Sequence, residues 1–366
     1  MEAKAATTKM SRTAIDAMLP YMETYFGNPS SLHTIGQQAA EALQKAQPDR
    51  LILVASGTSR NAAAAAAPFM EWALDLPVDV TAPSGLGRIV GKRPFLIFVS
   101  QGGNSTNTIA AIERTAQYPS LALTGDPEGH INTLCPHAVL IACGEEKAGP
   151  KTKGYTGTIL TLYLMALEAG RESGSLTAEA YADCVKTLET AAEQLQSNID
   201  RTLAWVESNT ESLQKLKVVY LAGKLQSAAI AAEGALKLME TLLIPAEGYD
   251  FEEYLHGPSC SINPGVAGMY LLPPVGDPDR ARMHGLLEYH RSLCSEVYAF
   301  GPEAGEDPRD LSLLQSGAWY TQPFEQILPM QVISCELPDM LGLDGVGSKR
   351  FQALDKKLKI KFKSEG

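Results

Sequence analysis

The feature that most constrains the fold is an alternation of short apolar runs with helical stretches, which begins at Arg50. The apolar runs of the first half are residues 51–55, 78–80, 95–99, 121–123 and 138–141. Helical stretches at 59–74, 107–117 and 155–169 separate most of them. Parallel strands need a long crossover connection, which is usually a helix. The alternation therefore predicts a parallel sheet covered by helices on both faces.

The same alternation returns in the second half of the chain. Strands are predicted at 216–222, 267–272 and 296–300, and helices at 226–243, 279–292 and 324–337. We interpret this as the internal duplication of one α/β unit of about 150 residues. The predicted domains are an N-terminal helical segment (1–47), a first domain (48–172), a helical connection (173–215), a second domain (216–345) and a C-terminal tail (346–366).

Composition excludes several classes of partner. With 31 Lys and Arg against 42 Asp and Glu among 366 residues, the net charge is −11, which disfavours nucleic acid and anionic membranes. No apolar run approaches the roughly 20 residues that span a bilayer, and the N-terminus has no secretory pattern. The six cysteines include no CxxC pair and are read as buried, reduced thiols. We therefore expect a cytoplasmic protein without a metal or cofactor.

Two loops of the first half combine glycines with hydroxyl side chains directly after a predicted strand. Their residues are Gly57, Thr58 and Ser59 in the first loop and Ser100, Gln101, Gly102 and Ser105 in the second. Backbone N–H groups at a helix N-terminus bind anions, and glycine lets the backbone approach closely. Hydroxyls that merely cap helices are the alternative for one such loop, but two at neighbouring strand ends favour phosphate binding. No Walker or GxGxxG pattern is present.

The second half lacks such loops but carries other titratable residues. Glu233, Lys237 and Glu240 fall on one face of the helix predicted at 226–243, and a surface ion-pair ladder is the alternative interpretation. His256 precedes a Gly-Pro turn and suits acid–base catalysis, although alone it is unremarkable.

A third polar segment precedes the helix predicted at 155–169. Lys151, Thr152 and Lys153 lie there between glycines, and they suggest a loop that contacts substrate. A solvated loop explains the same residues equally well.

Together these features resemble tandem sugar isomerase (SIS) domains over residues 48–345, which implies two tandem flavodoxin-like domains, each a parallel sheet wrapped by helices. That family includes the isomerase half of glucosamine-6-phosphate synthase, ketosamine-phosphate deglycases and aminosugar-phosphate deaminases. The matching stretches are 57–59 (GTS), 100–103 (SQGG), 151–156 (KTKGYT), 233–240 (EGALKLME), 246–249 (AEGY) and 253–258 (EYLHGP).

The resemblance implies a role for each candidate residue. The two loops, through Ser59, Ser100, Gln101 and Ser105, would bind the phosphate of a sugar 6-phosphate. Glu240 matches the carboxylate that shuttles a proton between C1 and C2, and Lys237 the lysine beside it. His256 matches the residue that opens the sugar ring from the partner subunit, which implies a homodimer or a higher oligomer. Gly102 and Asn104 depart from the family pattern, which has a serine and a glutamate there.

The two ends of the chain give further expectations. The tail from Lys357 alternates lysine with apolar residues and suggests a half-exposed strand, or a lysine that closes over the substrate as in the synthase. Residues 5–46 resemble the opening of cysteine desulfurases, but about 45 residues cannot build a pyridoxal-phosphate enzyme. No glutaminase domain is present, so we expect no glutaminase activity.

The sequence therefore predicts a phosphosugar isomerase-type enzyme that acts on a sugar, aminosugar or ketosamine 6-phosphate. It would work by C1–C2 proton transfer, as an aldose–ketose isomerase or a deaminase or deglycase. A non-catalytic sugar-phosphate sensor is the alternative.

Overall fold

The computed structural model describes residues 29–141, 143–144, 146 and 149–363, which form two compact bodies. The first body contains residues 29–141, 143–144, 146, 151–186 and 349–363. The second body contains residues 149–150 and 187–348. Within this described part of the chain, no helix is long and apolar enough to cross a membrane.

The first body is built on a five-stranded parallel sheet in the order β2-β1-β3-β4-β5. Its strands are β1 (Arg50–Ala55), β2 (Val78–Thr81), β3 (Pro94–Val99), β4 (Ser120–Thr124) and β5 (His137–Leu140). Leu51 pairs with Val78 on one side and with Phe95 on the other. The continuous apolar runs of β1 and β3 are buried on both faces, as a sheet covered on both sides requires.

Four helices of the first body flank this sheet. They are α1 (Pro29–Ala46), α2 (Thr58–Leu74), α3 (Thr106–Arg114) and α4 (Lys153–Ser173). Helices α2 and α4 pack closely against each other. At their contact, the Phe69 and Tyr163 rings stack with centroids 4.0 Å apart. Ile109 and Ile112 of α3 join Leu96 and Phe98 of β3 in the core. The predicted crossover helices are therefore present.

The second body has a five-stranded parallel sheet in the order β10-β9-β8-β6-β7. Its strands are β6 (Val219–Gly223), β7 (Ala246–Asp250), β8 (Ala267–Leu271), β9 (Val297–Gly301) and β10 (Asp310–Ser312). In both sheets the first strand in sequence lies between the second and the third, which is the flavodoxin-like order. The predicted α/β fold with two parallel sheets is confirmed.

The remaining helices belong wholly or partly to the second body. They are α5 (Ala178–Leu213), α6 (Gln226–Thr241), α7 (Phe251–Leu255), α8 (Arg280–Leu293), α9 (Gln322–Glu325), α10 (Leu328–Met340) and α11 (Val346–Leu358). Helices α5 and α11 contribute residues to both bodies. A Cβ added to Gly234 of α6 would lie 2.7 Å from Met330 Cγ and 2.9 Å from Leu221 Cδ2. Helix α6 is therefore pressed tightly against α10 and β6.

Two local expectations need correction. Among the described residues, the tail is helical to Leu358 and retains only an isolated antiparallel bridge between Ser105 and Lys361, because its apolar residues follow a helical period. Cys260 is exposed, whereas the other five cysteines are buried as expected. In the predicted N-terminal helical segment (1–47), α1 is helical from Pro29, and residues 1–28 lie outside the described residues.

Candidate functional site

The two glycine-hydroxyl loops lie at the carboxyl ends of neighbouring strands β1 and β3. Ligands of open α/β sheets bind at such a point, where the strand order reverses. Asn107 Nδ2 at the start of α3 donates a hydrogen bond of 2.9 Å to Ser56 Oγ after β1, so the loops are directly joined. Ser59 and Ser100 are both buried, at 8% and 4% exposure.

The N-termini of α2 and α3 have no side-chain caps in this part of the described chain. The N-cap position of α2 is Gly57, with φ 56° and ψ −135°, which has no side chain to offer. The N-cap of α3 is Ser105, whose hydroxyl makes no capping bond. Instead Ser100 Oγ donates to Ser105 Oγ at 3.3 Å. Neither N-cap residue therefore caps its helix with a side chain, although Thr106 N already donates to Ile360 O at 3.1 Å. Backbone N–H groups at a helix N-terminus are donors that an anion can satisfy.

Gln101 is held in a tight slot beside these hydroxyls. A Cβ added to Gly125 would lie 2.3 Å from Gln101 Nε2, and one added to Gly154 would lie 2.8 Å from its Cδ. Gln101 Nε2 donates to Cys143 Sγ at 3.2 Å, and burial raises the pKa of that thiol. Gln101 Oε1 is buried and has no hydrogen-bond partner among the described residues. A buried orphan acceptor is costly, so it indicates a ligand hydroxyl or water at this position.

The segment with Lys151, Thr152 and Lys153 is not a solvated loop. Thr152 is fully buried and Lys153 is 6% exposed. Glu146 Oε1 accepts hydrogen bonds from Thr152 N at 2.8 Å and Lys153 N at 3.1 Å, and Oε2 accepts one from Gly154 N at 2.9 Å. Lys151 Nζ donates to the Glu146 carbonyl oxygen. This carboxylate occupies the N-terminus of α4 and fixes the segment beside Gln101.

The C-terminal tail brings a lysine to the second loop. The sequence alone did not indicate which tail lysine this is. Lys361 Nζ donates to Ser105 Oγ at 3.0 Å. Lys361 and Ser105 are 256 positions apart in the sequence, so their contact is visible only in the folded chain. The alternation of lysines with apolar residues in the tail is the sequence signal that pointed to a tail lysine near the substrate.

In the second body, helix α6 carries a buried charge cluster. Lys237 is completely buried and Glu233 nearly so, whereas the Glu240 side chain is 38% exposed. Lys237 Nζ lies 3.4 Å from Glu233 Oε1 and also contacts Glu240 Oε2. Burial alone would lower the pKa of Lys237, but the two carboxylates outweigh it and the pKa lies above that of an ordinary lysine. The lysine is therefore a buried cation, and the surface ion-pair ladder is wrong.

Glu240 also lines a pocket of the second body. The lining includes Gly149, Thr241, Cys335, Asp339 and Ser348. The exposed carboxylate can therefore meet a small molecule, whereas the buried Lys237 ammonium cannot.

His256 lies apart from this cluster. It is exposed, follows the last residue of α7, and its backbone N–H donates to Glu253 O at 3.1 Å. Among the described residues, no hydrogen bond or ion pair joins its side chain to Glu240. Gly257 has φ 143°, a conformation that glycine allows and that turns the chain after His256.

The structure thus assembles two groups of predicted residues, one in each body. Gly57, Thr58, Ser59, Ser100, Gln101, Gly102 and Ser105 form the loop region of the first body. Lys237 and Glu240 meet in the second. Within the described residues, His, Cys, Asp and Glu side chains form no group of three that could hold a metal ion.

By sequence and by fold, the chain is similar to proteins of the phosphosugar isomerase type. No protein-family model matches the chain. By sequence it is similar to the isomerizing glutamine–fructose-6-phosphate aminotransferase of Streptococcus pneumoniae, with 27% identity over 302 residues. That match covers 81% of this chain and 50% of the relative, so the chain spans about half the length of the relative it matches. The resemblance to the isomerase half of such synthases is confirmed.

Solved structures show the same likeness. A Clostridium difficile protein, provisionally assigned as a phosphosugar isomerase, superposes with a TM-score of 0.84 at 25% identity. The match covers 92% of this chain and 94% of that one. A Salmonella typhimurium protein, provisionally assigned as sugar-binding, has a TM-score of 0.80 at 29% identity, covering 89% and 99% of the two chains.

Proposed function

We propose that the protein is an enzyme that binds a sugar, aminosugar or ketosamine 6-phosphate and transfers a proton between C1 and C2. The observation that carries this proposal is a pair of helix N-termini at neighbouring strand ends whose N-cap residues make no side-chain cap, together with the Ser100–Ser105 hydroxyl pair of the second loop. Such a site suits a phosphate, because backbone N–H groups and hydroxyls all donate to its oxygens.

The sugar portion of the substrate would meet Gln101. Its buried Oε1 lacks a partner among the described residues and accepts a hydrogen bond from a sugar hydroxyl. The neighbouring segment 151–153 leads into Gly154, whose missing Cβ leaves room for the Gln101 side chain. Glu146 accepts a hydrogen bond from Gly154 N and so fixes the backbone of this segment.

Glu240 is the base of the proposal. Its carboxylate lines a pocket and is partly exposed, as a group that contacts substrate must be. Removal of the C1 or C2 proton leaves an enediolate, and the same carboxylate returns the proton to the other carbon. Lys237 is a positioning residue, because its fully buried ammonium contacts the Glu240 carboxylate and holds it in one orientation.

His256 would act from the partner subunit of a homodimer. Its exposure and its lack of a bond to Glu240 within the described chain support this role. In the partner's site the imidazole would shuttle the ring hydroxyl proton and supply the open-chain sugar.

Isomerase and deaminase or deglycase reactions begin with the same enolisation, so these residues serve either. A panel of sugar, aminosugar and fructosyl-amine 6-phosphates separates them. An isomerase converts aldose to ketose without loss of nitrogen, whereas a deaminase or deglycase releases ammonia or a free amine.

The experiment compares Glu240→Gln with wild type on the best substrate of that panel. We expect kcat to fall by about 10²–10⁴-fold while the sugar phosphate still binds, because only the proton-transfer group is lost. Glu207→Gln, at an exposed position of the same body, is the matched control and should keep wild-type turnover. A Glu240→Gln protein with wild-type turnover, or a wild type that converts no member of the panel, would contradict the proposal.

A further inference from the structure

The loop that follows β3 has no charge of its own. Residues 100–106 contain only serine, glutamine, glycine, asparagine and threonine, and the whole chain carries a net charge of −11. A phosphate monoester approaches with nearly two negative charges. Neutral donors alone would have to offset both its desolvation and the unfavourable field of an acidic protein.

The C-terminal tail supplies a cation at this loop. Lys361 Nζ donates to Ser105 Oγ at 3.0 Å, and Ser100 Oγ donates to the same oxygen at 3.3 Å. A hydroxyl has two acceptor lone pairs and one proton. Because both lone pairs of Ser105 are used, its proton remains to be donated to an incoming anion. Lys361, Ser100 and Ser105 thus form one chain of donors.

The tail is anchored at this place by its backbone. Thr106 N donates to Ile360 O at 3.1 Å, and Phe362 N donates to Asn104 O at 2.7 Å. Phe362 also stacks on His130, with ring centroids 4.3 Å apart. Contacts on both sides of Lys361 therefore fix its position relative to the loop.

Among the described residues, no carboxylate forms an ion pair with the ammonium group of Lys361; Asp355 Oδ1 accepts a hydrogen bond from its backbone N–H at 2.7 Å instead. Burial lowers its pKa, and the positive charge of Lys151 adds to this effect, although Asp355 opposes it. A partly buried cation near a second cation is stabilised by an anion between or beside them. The arrangement is electrostatically prepared for a phosphate.

We propose that Lys361 is an ionic ligand of the substrate phosphate and makes the site selective for phosphorylated over unphosphorylated sugars. The inference rests on the proposed function and adds a residue outside the two loops. This role is non-covalent, unlike condensation of a tail lysine with the open-chain sugar, which the resemblance implies for the synthase. It also assigns the tail to substrate binding.

The test measures the affinity of the full chain for inorganic phosphate and for fructose 6-phosphate by titration calorimetry. Lys361→Met should weaken both by about 10- to 100-fold, because a hydrogen bond to a charged group is lost. Lys361→Arg should keep most of the affinity. Lys359→Met removes an exposed lysine of the same tail and is the matched control, with unchanged affinity. Lys361→Gln replaces the Met variant if that variant does not fold.

Inorganic phosphate has no carbonyl, so it isolates the ionic role from any covalent one. A Lys361→Met protein that binds phosphate as tightly as wild type would overturn the inference. The inference would also be overturned if borohydride trapped fructose 6-phosphate on Lys361 and wild type and Lys361→Met had the same affinity for inorganic phosphate. A wild-type protein that binds no phosphate at all refutes the proposed function itself, which is a separate outcome.

Discussion

Replacing Glu233 with glutamine tests the electrostatics of the proposed catalytic helix. Glu233 and Lys237 are 1% and 0% exposed, so each depends on the other for its charge balance. Glutamine keeps the size of the side chain and removes only the negative charge. The variant leaves Lys237 with the half-exposed Glu240 as its sole strong counter-charge in the described cluster.

The magnitude follows from the burial of each partner. Breaking a buried ion pair by removing one member costs about 3–5 kcal/mol, because an uncompensated charge stays in the interior. The same change at Glu240 should cost only about 1 kcal/mol, since this carboxylate is 38% exposed and water screens the pair. Replacing both buried partners, as Glu233→Gln with Lys237→Met, should recover most of the loss. Stability is therefore expected to depend mainly on Glu233, and turnover mainly on Glu240.

The pH dependence has a definite sign. The pKa of Lys237 is raised in the folded protein, so its stabilising contribution is complete below the ordinary lysine value of about 10.4. That contribution is lost only as pH rises through the higher folded value. The stability difference between wild type and Lys237→Met should therefore be constant from neutral pH to about pH 10 and shrink above it.

Urea unfolding followed by tryptophan fluorescence is a suitable assay. Trp205 is buried in the second body, with its ring 5.4 Å from Tyr298 and 5.2 Å from Phe300, and so reports on unfolding of that body. Equal and small effects of Glu233→Gln and Glu240→Gln would refute the reasoning. So would a double variant that is as unstable as Glu233→Gln alone, because the cost would then not come from the unpaired lysine.

Two further predictions concern the loops and the partner subunit. Gly102→Ser should strengthen phosphate binding several-fold, by about 1 kcal/mol, because an added Cβ meets no atom within 4 Å and restores a cradle hydroxyl. Gly103→Ser should instead disrupt the loop, because Gly103 has φ 63° and an added Cβ would lie 2.5 Å from Gly129 Cα. Titration calorimetry measures the phosphate affinity of both variants. A mixed dimer of Glu240→Gln and His256→Ala chains should retain one active site, and a dead mixed dimer would exclude a histidine acting in trans.

Much of the fold was predictable because its central strands are long apolar runs. The strands around Leu53, Ile97 and Met269 are buried on both faces and stand out from their surroundings. Strand β7 reads Ala-Glu-Gly-Tyr-Asp and β10 has only three residues, so neither gives an apolar or alternating signal. Pairing with β6 and β9 creates these edge strands, and such pairing cannot be seen in a local pattern.

The residue types of the candidate site were predictable from the sequence, but the burial of their side chains was not. Helical spacing placed Glu233, Lys237 and Glu240 on one face, yet it could not tell that tight packing of α6 buries the first two. Likewise, the alternating lysines of the tail were visible, but only the backbone bonds at Ile360 and Phe362 select Lys361. In both cases the missing information is tertiary.

The N-cap of α6 in the second body repeats the backbone conformation found at the N-cap of α2, and this leads to a last prediction. Leu225, the N-cap residue of α6, has φ 53° and ψ −124°, nearly the conformation of Gly57 at the N-cap of α2. A leucine in this region is strained by about 1–3 kcal/mol, and its side chain is 72% exposed, so it gains little from burial. Leu225→Gly should therefore stabilise the second body by about 0.5–2 kcal/mol, after about 0.5–1 kcal/mol is lost to the entropy of the unfolded glycine. Urea unfolding monitored through Trp205 measures this gain, and Gly57→Leu is the reciprocal control, which should destabilise the first body. If Leu225→Gly were instead less stable than wild type, the leucine side chain would have to be buried in solution, and the strain argument would fail.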